Sequence, residues 1–170
     1  MPDDVARIRN FEAIDAKLWR GGAPSSDDYR ALAAAGVTTI VDLRAEQGLP
    51  DRSELLAELG VERGAIPIRD GQTPTAEQVQ RFVQAVDGSE GTVYLHCGAG
   101  VGRTGTLAAV YQASHGQRGW DAMRANLAVG PPSLEQLAFA VSLERPNAAV
   151  VALSRTFDAP RRFWKVLESL

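Results

Sequence analysis

The chain has 170 residues, 45% of them hydrophobic and 23% charged, with a formal net charge of -3 at neutral pH. That length suits one domain able to bury about two-thirds of its unfolded surface. The charge gives no electrostatic case for a nucleic-acid or anionic-membrane partner, and one cysteine with two histidines excludes both an internal disulfide and a metal-ligand cluster.

The start, Met1-Pro2-Asp3-Asp4, is acidic and lacks the basic-then-apolar layout of an export signal. No apolar run approaches the roughly 20 residues a membrane span needs, so the expectation is a cytoplasmic protein. Lys17-Leu18-Trp19-Arg20 predicts a short strand, closed by the turn Gly21-Gly22-Ala23-Pro24. Ser25 and Ser26 can cap a helix that runs through Tyr29 and Leu32 to a stop at Gly36. Val37 to Leu43 is β-branched and almost continuously apolar, the pattern of a strand buried on both faces.

Arg44 to Pro50 is a polar loop, Arg52 to Leu59 a short helix ended by Gly60, and Ala65 to Ile68 a brief strand. That strand delivers the loop Arg69-Asp70-Gly71-Gln72, after which Thr73-Pro74 is expected to open a helix with proline at its first position. Val79, Phe82, Val83 and Val86 lie on one face of that helix. Thr92 to Leu95 is a strand, and Leu107 to Tyr111 belongs to a helix. Trp120 to Val129 and Ser133 to Leu143 read as helical, separated by Gly130-Pro131-Pro132. The tail, residues 144–170, reads as a helical extension docked on the core rather than a membrane-surface helix, although Arg161, Arg162 and Lys165 flank Phe163 and Trp164. Strands alternating with helices predict a single-domain α/β fold, a central and mostly parallel sheet flanked by helices.

Chemistry concentrates in His96-Cys97-Gly98-Ala99-Gly100-Val101-Gly102-Arg103-Thr104-Gly105. Strand, glycine loop and helix in succession turn backbone N–H groups inward and aim the positive end of a helix at an anion. Cys97 stands where that field favours its thiolate, and Arg103 where a planar guanidinium grips two phosphate oxygens. Gly98, Ala99, Gly100, Val101 and Gly102 form the cradle, and the glycines permit its curvature. Thr104 stands where its hydroxyl can donate to the sulfur. Gly100 to Gly105 also fits the dinucleotide pattern G-x-G-x-x-G, but Asp121, near the required spacing, falls in a helical stretch, which rejects that alternative.

The spacing Cys97, five residues, Arg103, then Thr104-Gly105 resembles the signature loop of the cysteine-dependent protein tyrosine and dual-specificity phosphatases. Leu18 to Pro24, Val41 to Arg44 and Ile66 to Asp70 resemble flanking segments of small bacterial members, so the likeness covers roughly residues 11–143. It implies that Cys97 attacks phosphorus to give a phosphocysteine while Arg103 holds the equatorial oxygens. It makes Asp70 the acid that protonates the departing oxygen and then the base for water, set against an ordinary turn residue before Gly71. Asp42 is the fallback, better suited by its strand position to structural hydrogen bonding.

His96 faces away from Cys97 by strand alternation and is expected to orient the loop. Arg44 and Glu46 either line the entrance or form a surface ion pair. Arg69 either meets phosphate or faces solvent, and His115 is a solvated or capping residue. Gln136 resembles in position a glutamine that orients water in some relatives, against a solvated helix face. The resemblance implies no cofactor and no metal, and a phosphorylated protein or small phosphomonoester as substrate. Phosphotyrosine is favoured over highly charged ligands because Ala99 and Val101 bring no cation into the loop. A phosphoinositide or other small-molecule phosphatase, a rhodanese-like sulfur carrier and a non-catalytic phosphoprotein-binding domain are the alternatives.

Overall fold

The computed structural model describes residues 3–116. Its elements are α1 (Asp3–Ala6), β1 (Glu12–Ala13), β2 (Leu18–Gly21), α2 (Ser26–Ala34), β3 (Val37–Arg44), α3 (Ser53–Glu58), β4 (Glu62–Ile68), α4 (Ala76–Gly88), β5 (Thr92–His96) and α5 (Gly102–Ser114). The sheet order is β1-β2-β5-β3-β4, antiparallel only between β1 and β2. The last of the described strands, β5, therefore lies between β2 and β3, and its carboxyl end opens mid-sheet.

β3 is central and pairs on both sides, which explains its nearly unbroken apolar sequence. β4 is an edge strand whose buried residues alternate: Gly64, Ile66 and Ile68 point inward. An edge tolerates Pro67, which has no N–H for a ladder. The strand is longer than the sequence reading by three residues at its start, because Glu62 and Arg63 pair with Thr39 and Ile40.

Helices cover both faces. Leu18, Val41, Leu43, Val93 and Leu95 meet Val79, Phe82 and Val86 of α4 and Leu107, Val110 and Tyr111 of α5. On the other face Val37, Ile40 and Tyr94 meet Val5 of α1, Tyr29 and Leu32 of α2 and Leu56 of α3. Phe82 is wholly buried, which stabilises the fold by about 3 kcal/mol relative to exposure.

Capping boxes set two helix starts. The Ser25 side chain accepts from the Asp28 N–H while the Asp28 carboxylate accepts from the Ser25 N–H. Thr75 and Gln78 do the same for α4. This corrects the start expected at Thr73-Pro74: Thr-x-x-Gln captures the helix, and Pro74 precedes its cap. α5 begins five residues before Leu107 and is buried almost all round, so it carries no amphipathic periodicity by which to find its ends. The helices expected at 120–129 and 133–143, the tail and Gln136 lie outside the described residues.

Candidate active site

Cys97 follows β5 directly and is 3% exposed. Its Sγ accepts a hydrogen bond from the Gly100 N–H at 3.3 Å. That bond depends on a φ of +77° at Gly100, which L side chains rarely adopt. A Cβ there would also lie 2.3 Å from the Gly21 carbonyl carbon and 2.5 Å from the Gly22 nitrogen, so two glycine backbones meet where no side chain fits. The loop runs into α5 through Val101, whose side chain has no oxygen to cap the helix. The leading N–H groups of α5 are thus left to an anion.

His96 is fully buried, and burial pushes its pKa down, so the ring is neutral despite Asp42 nearby. Its Nδ1 lies 3.1 Å from the Cys97 carbonyl oxygen. A carbonyl only accepts, so the proton belongs on Nδ1, and the imidazole braces the backbone at the nucleophile. Thr104 does not make the expected bond to sulfur. Its hydroxyl sits fully buried inside the first turn of α5 without a hydrogen-bond partner, while the sulfur takes a backbone N–H instead.

Arg103 is held from three directions. Its Nη2 and Nη1 donate to the two carboxylate oxygens of Glu46 at 2.8 and 3.1 Å, a bidentate fork. Nη1 also donates to the Ile68 carbonyl at 3.0 Å, and Nε lies 3.3 Å from Asp70 Oδ1. Burial opposes the charge, but Glu46, Cys97 and Asp70 outweigh it and raise the guanidinium's pKa. In return the Arg103 hydrogen bonds hold the Glu46 carboxyl below its ordinary range. Asp70 is 81% exposed on the loop after β4. The sheet thus brings Asp70, Glu46 and Cys97, from the ends of three strands, to one guanidinium, as expected at the carboxyl edge of a parallel sheet.

Asp42 is placed elsewhere. Its carboxylate takes a fork from Arg44 at 2.7 to 3.2 Å and the Arg44 N–H at 3.0 Å. Burial would raise its pKa, but the Arg44 hydrogen bonds and charge hold it below the ordinary range. Arg44 is consequently committed to Asp42 and does not line the entrance. Arg69 is exposed. His115 caps the end of α5 and packs on Tyr111, with ring centroids 4.1 Å apart. Among the described residues, no group of three or more His, Cys, Asp or Glu side chains is gathered for a metal.

The sequence reading missed the bond between Glu46 and Arg103. A carboxylate just past a parallel strand's end was the only available signal for it. Arg20 and Asn10 were given no role at the site, and the short-strand reading of Lys17 to Arg20 carried no signal that Arg20 is wholly buried.

A buried cysteine in a backbone cradle, with an arginine five intervening residues later at the carboxyl edge of a parallel sheet, defines a cysteine-dependent phosphatase of the tyrosine and dual-specificity class. The family described as DSP-PTPase phosphatase fused to NAD+ kinase matches residues 6–141, and the chain belongs to it. NAD kinase 2, chloroplastic, of Arabidopsis thaliana is 36% identical over 108 residues, 59% of this chain and 11% of that protein. The dual specificity protein phosphatase CDC14C of Homo sapiens is 38% identical over 79 residues, 46% of this chain and 17% of that protein. The chain therefore spans under a fifth of the length of these relatives. Among solved structures, PTPMT1 in complex with PI(5)P superposes with a TM-score of 0.72 at 21% identity, covering 84% of this chain and 97% of that one, a likeness of fold.

Proposed function

We propose that the chain hydrolyses phosphate monoesters through a phosphocysteine. The Cys97 thiolate attacks phosphorus and the bond to the ester oxygen breaks. Asp70 gives its proton to that oxygen, and the loop N–H groups and Arg103 carry the phosphoryl oxygens throughout. Asp70 then takes a proton from water as the water attacks phosphorus, and the thiolate leaves. The observation that carries this reading is the placement of Asp70 Oδ1 3.3 Å from Nε of Arg103, on the rim of the loop that holds Cys97. An incoming phosphate that takes over Nε displaces the exposed Asp70 carboxyl toward the departing oxygen.

The local charge favours a substrate with one phosphate group, phosphotyrosine in proteins and then phosphoserine or phosphothreonine. Ala99 and Val101 add no cation, Arg44 is bound to Asp42, and Arg103 already faces two carboxylates. A polyphosphorylated ligand finds too little positive charge here. The name of the human relative agrees with protein phosphate, whereas the PI(5)P complex of PTPMT1 keeps a monophosphorylated lipid headgroup as the second reading. A nucleophilic thiol also fits a reducing compartment such as the cytoplasm.

The test compares kcat/KM over a panel of phosphotyrosine and phosphoserine peptides, inositol phosphates and PI(5)P, with Cys97→Ser as control. Turnover of the peptides without added metal, blocked by orthovanadate and lost in Cys97→Ser, is expected. Preference for multiply phosphorylated inositols would refute the substrate reading, and undiminished turnover in Cys97→Ser the mechanism.

A further inference from the structure

Consecutive carbonyls of the anion loop are tied outward to the segment between Arg9 and Ala23. The Gly98 carbonyl accepts from the Ala23 N–H at 3.0 Å, the Ala99 carbonyl from Asn10 Nδ2 at 2.8 Å, and the Gly100 carbonyl from Arg20 Nη2 at 2.6 Å. All the peptides described are trans. In a trans peptide the C=O and the next residue's N–H point in opposite directions. Drawing these carbonyls outward therefore turns the N–H groups of Ala99, Gly100 and Val101 into the cradle. One of them arrives on the nucleophile, as the Gly100 N–H on Sγ of Cys97.

The outer segment is itself fixed. Arg20 is wholly buried and lies opposite Glu12 in the β1–β2 ladder, with Nη1 3.7 Å from the Glu12 carboxylate. The Gly22 N–H donates to the Arg9 carbonyl at 2.7 Å, and the Tyr94 hydroxyl to the Gly22 carbonyl at 2.8 Å. Asn10 has a φ of 54°, in the left-handed region that costs most non-glycine residues about 1 kcal/mol or more. Asparagine is among the residues that bear it best, and here the strained backbone aims its amide at the loop.

We propose that Asn10 and Arg20 are positioning residues of the phosphate site. They act through the carbonyls of Ala99 and Gly100, setting the N–H groups that meet thiolate and phosphate before either substrate or intermediate is present. Pre-set donors cost no reorganisation as charge develops on the phosphoryl oxygens. This inference rests on the hydrolytic reading above.

The experiment uses Asn10→Gly, which keeps the left-handed backbone and removes the amide, together with Arg20→Gln and Arg20→Lys. Readouts are kcat and KM for p-nitrophenyl phosphate per reactive thiol, inhibition by orthovanadate, thermal midpoint, and protection of Cys97 from iodoacetamide by orthovanadate. For Asn10→Gly we expect kcat/KM to fall about tenfold, the loss of one hydrogen bond, and orthovanadate to bind weaker by a similar factor. The thermal midpoint stays within about 3 °C. Arg20→Gln loses more, and Arg20→Lys recovers part of that loss because charge and donor return. Wild-type kinetics and orthovanadate inhibition in Asn10→Gly would overturn the proposal, whether or not Arg20→Gln folds. So would a loss wholly explained by fewer folded molecules.

Should the wild type fail to turn over p-nitrophenyl phosphate, orthovanadate protection of Cys97 decides separately. Protection that weakens in Asn10→Gly upholds the positioning role while the hydrolytic reading fails. Protection that is unchanged, or absent in the wild type, ends both.

Discussion

Replacing Gly100 by alanine tests the geometry of the cradle directly. The added Cβ would stand 2.3 Å from the Gly21 carbonyl carbon and 2.5 Å from both the Gly21 oxygen and the Gly22 nitrogen. Each of these is backbone, so no side-chain rotation relieves the overlap. The left-handed φ costs a non-glycine residue about 1–2 kcal/mol, and overpacking adds about 1–3 kcal/mol. A stability loss of about 2–5 kcal/mol is expected in urea denaturation. The loop must shift outward by about an ångström to escape, which pulls the Gly100 N–H from the sulfur it meets at 3.3 Å. Misplacing one such donor costs about 100- to 1,000-fold in turnover.

Gly98 is the control in the same loop. It has an ordinary φ, and a Cβ added there would meet nothing within 4 Å, so Gly98→Ala retains kcat/KM within about threefold. The assay is steady-state hydrolysis of p-nitrophenyl phosphate on variants matched for folded fraction. Near-wild-type turnover in Gly100→Ala, or an equal loss in Gly98→Ala, would refute the argument from space and backbone.

Asp70→Asn should lower kcat about 100-fold or more with little change in KM, and the deficit should be larger for phenyl phosphate than for p-nitrophenyl phosphate, whose leaving group needs less protonation. A deficit independent of leaving group would remove Asp70 from the acid role. Glu46→Gln weakens the grip on Arg103, and kcat/KM should fall about tenfold. Because Arg103 holds the Glu46 carboxyl below its ordinary value of 4.5, the wild-type fork stays ionised at neutral pH and is lost only as the pH falls through that lowered value. The ratio of Glu46→Gln to wild-type activity should therefore be flat from about pH 5.5 to 8, which a pH profile of kcat/KM checks. Asp42→Asn breaks a largely buried fork and should cost about 2–4 kcal/mol in urea denaturation. The Asp42 carboxyl is held below its ordinary 3.8 when folded, so its stabilisation is complete above that value and lost as acid carries the pH through the lowered one. The acid limb of stability should be shallower in Asp42→Asn.

Much of this architecture was legible because local chemistry and fold agree. β3 announces its interior place by the β-branched run from Val37 to Val41, and α2 its start by Ser25 with Asp28 three positions on. The spacing of Cys97, Arg103 and the intervening glycines identified the cradle without help from distant residues. What escaped depended on partners remote in sequence or on elements too short to carry a period. α1 and β1 have four and two residues, below the length at which alternation or helical spacing registers. The fork from Glu46 to Arg103 joins residues 57 positions apart, and the bond from Arg20 to Gly100 spans 80. Thr75 was masked by Pro74 beside it, although the capping box with Gln78 was present. The hydroxyl of Thr104 could be placed by spacing near the sulfur, but spacing does not say that it ends buried in α5 without a hydrogen-bond partner.

The insertion of β5 between β2 and β3 also governs how the protein is made. Leu18 pairs with Val93 and Gly21 with His96, so the first long strand of the chain waits for the last one described. Closing so large a loop is entropically costly and slow compared with making any single helix. A chain that stops short of β5 has no parallel partner for β2 and nothing to seat the nucleophile upon. Cys97 thus arrives with β5 and Arg103 only with the first turn of α5 behind it, so a chain cut before β5 lacks both ends of the cradle.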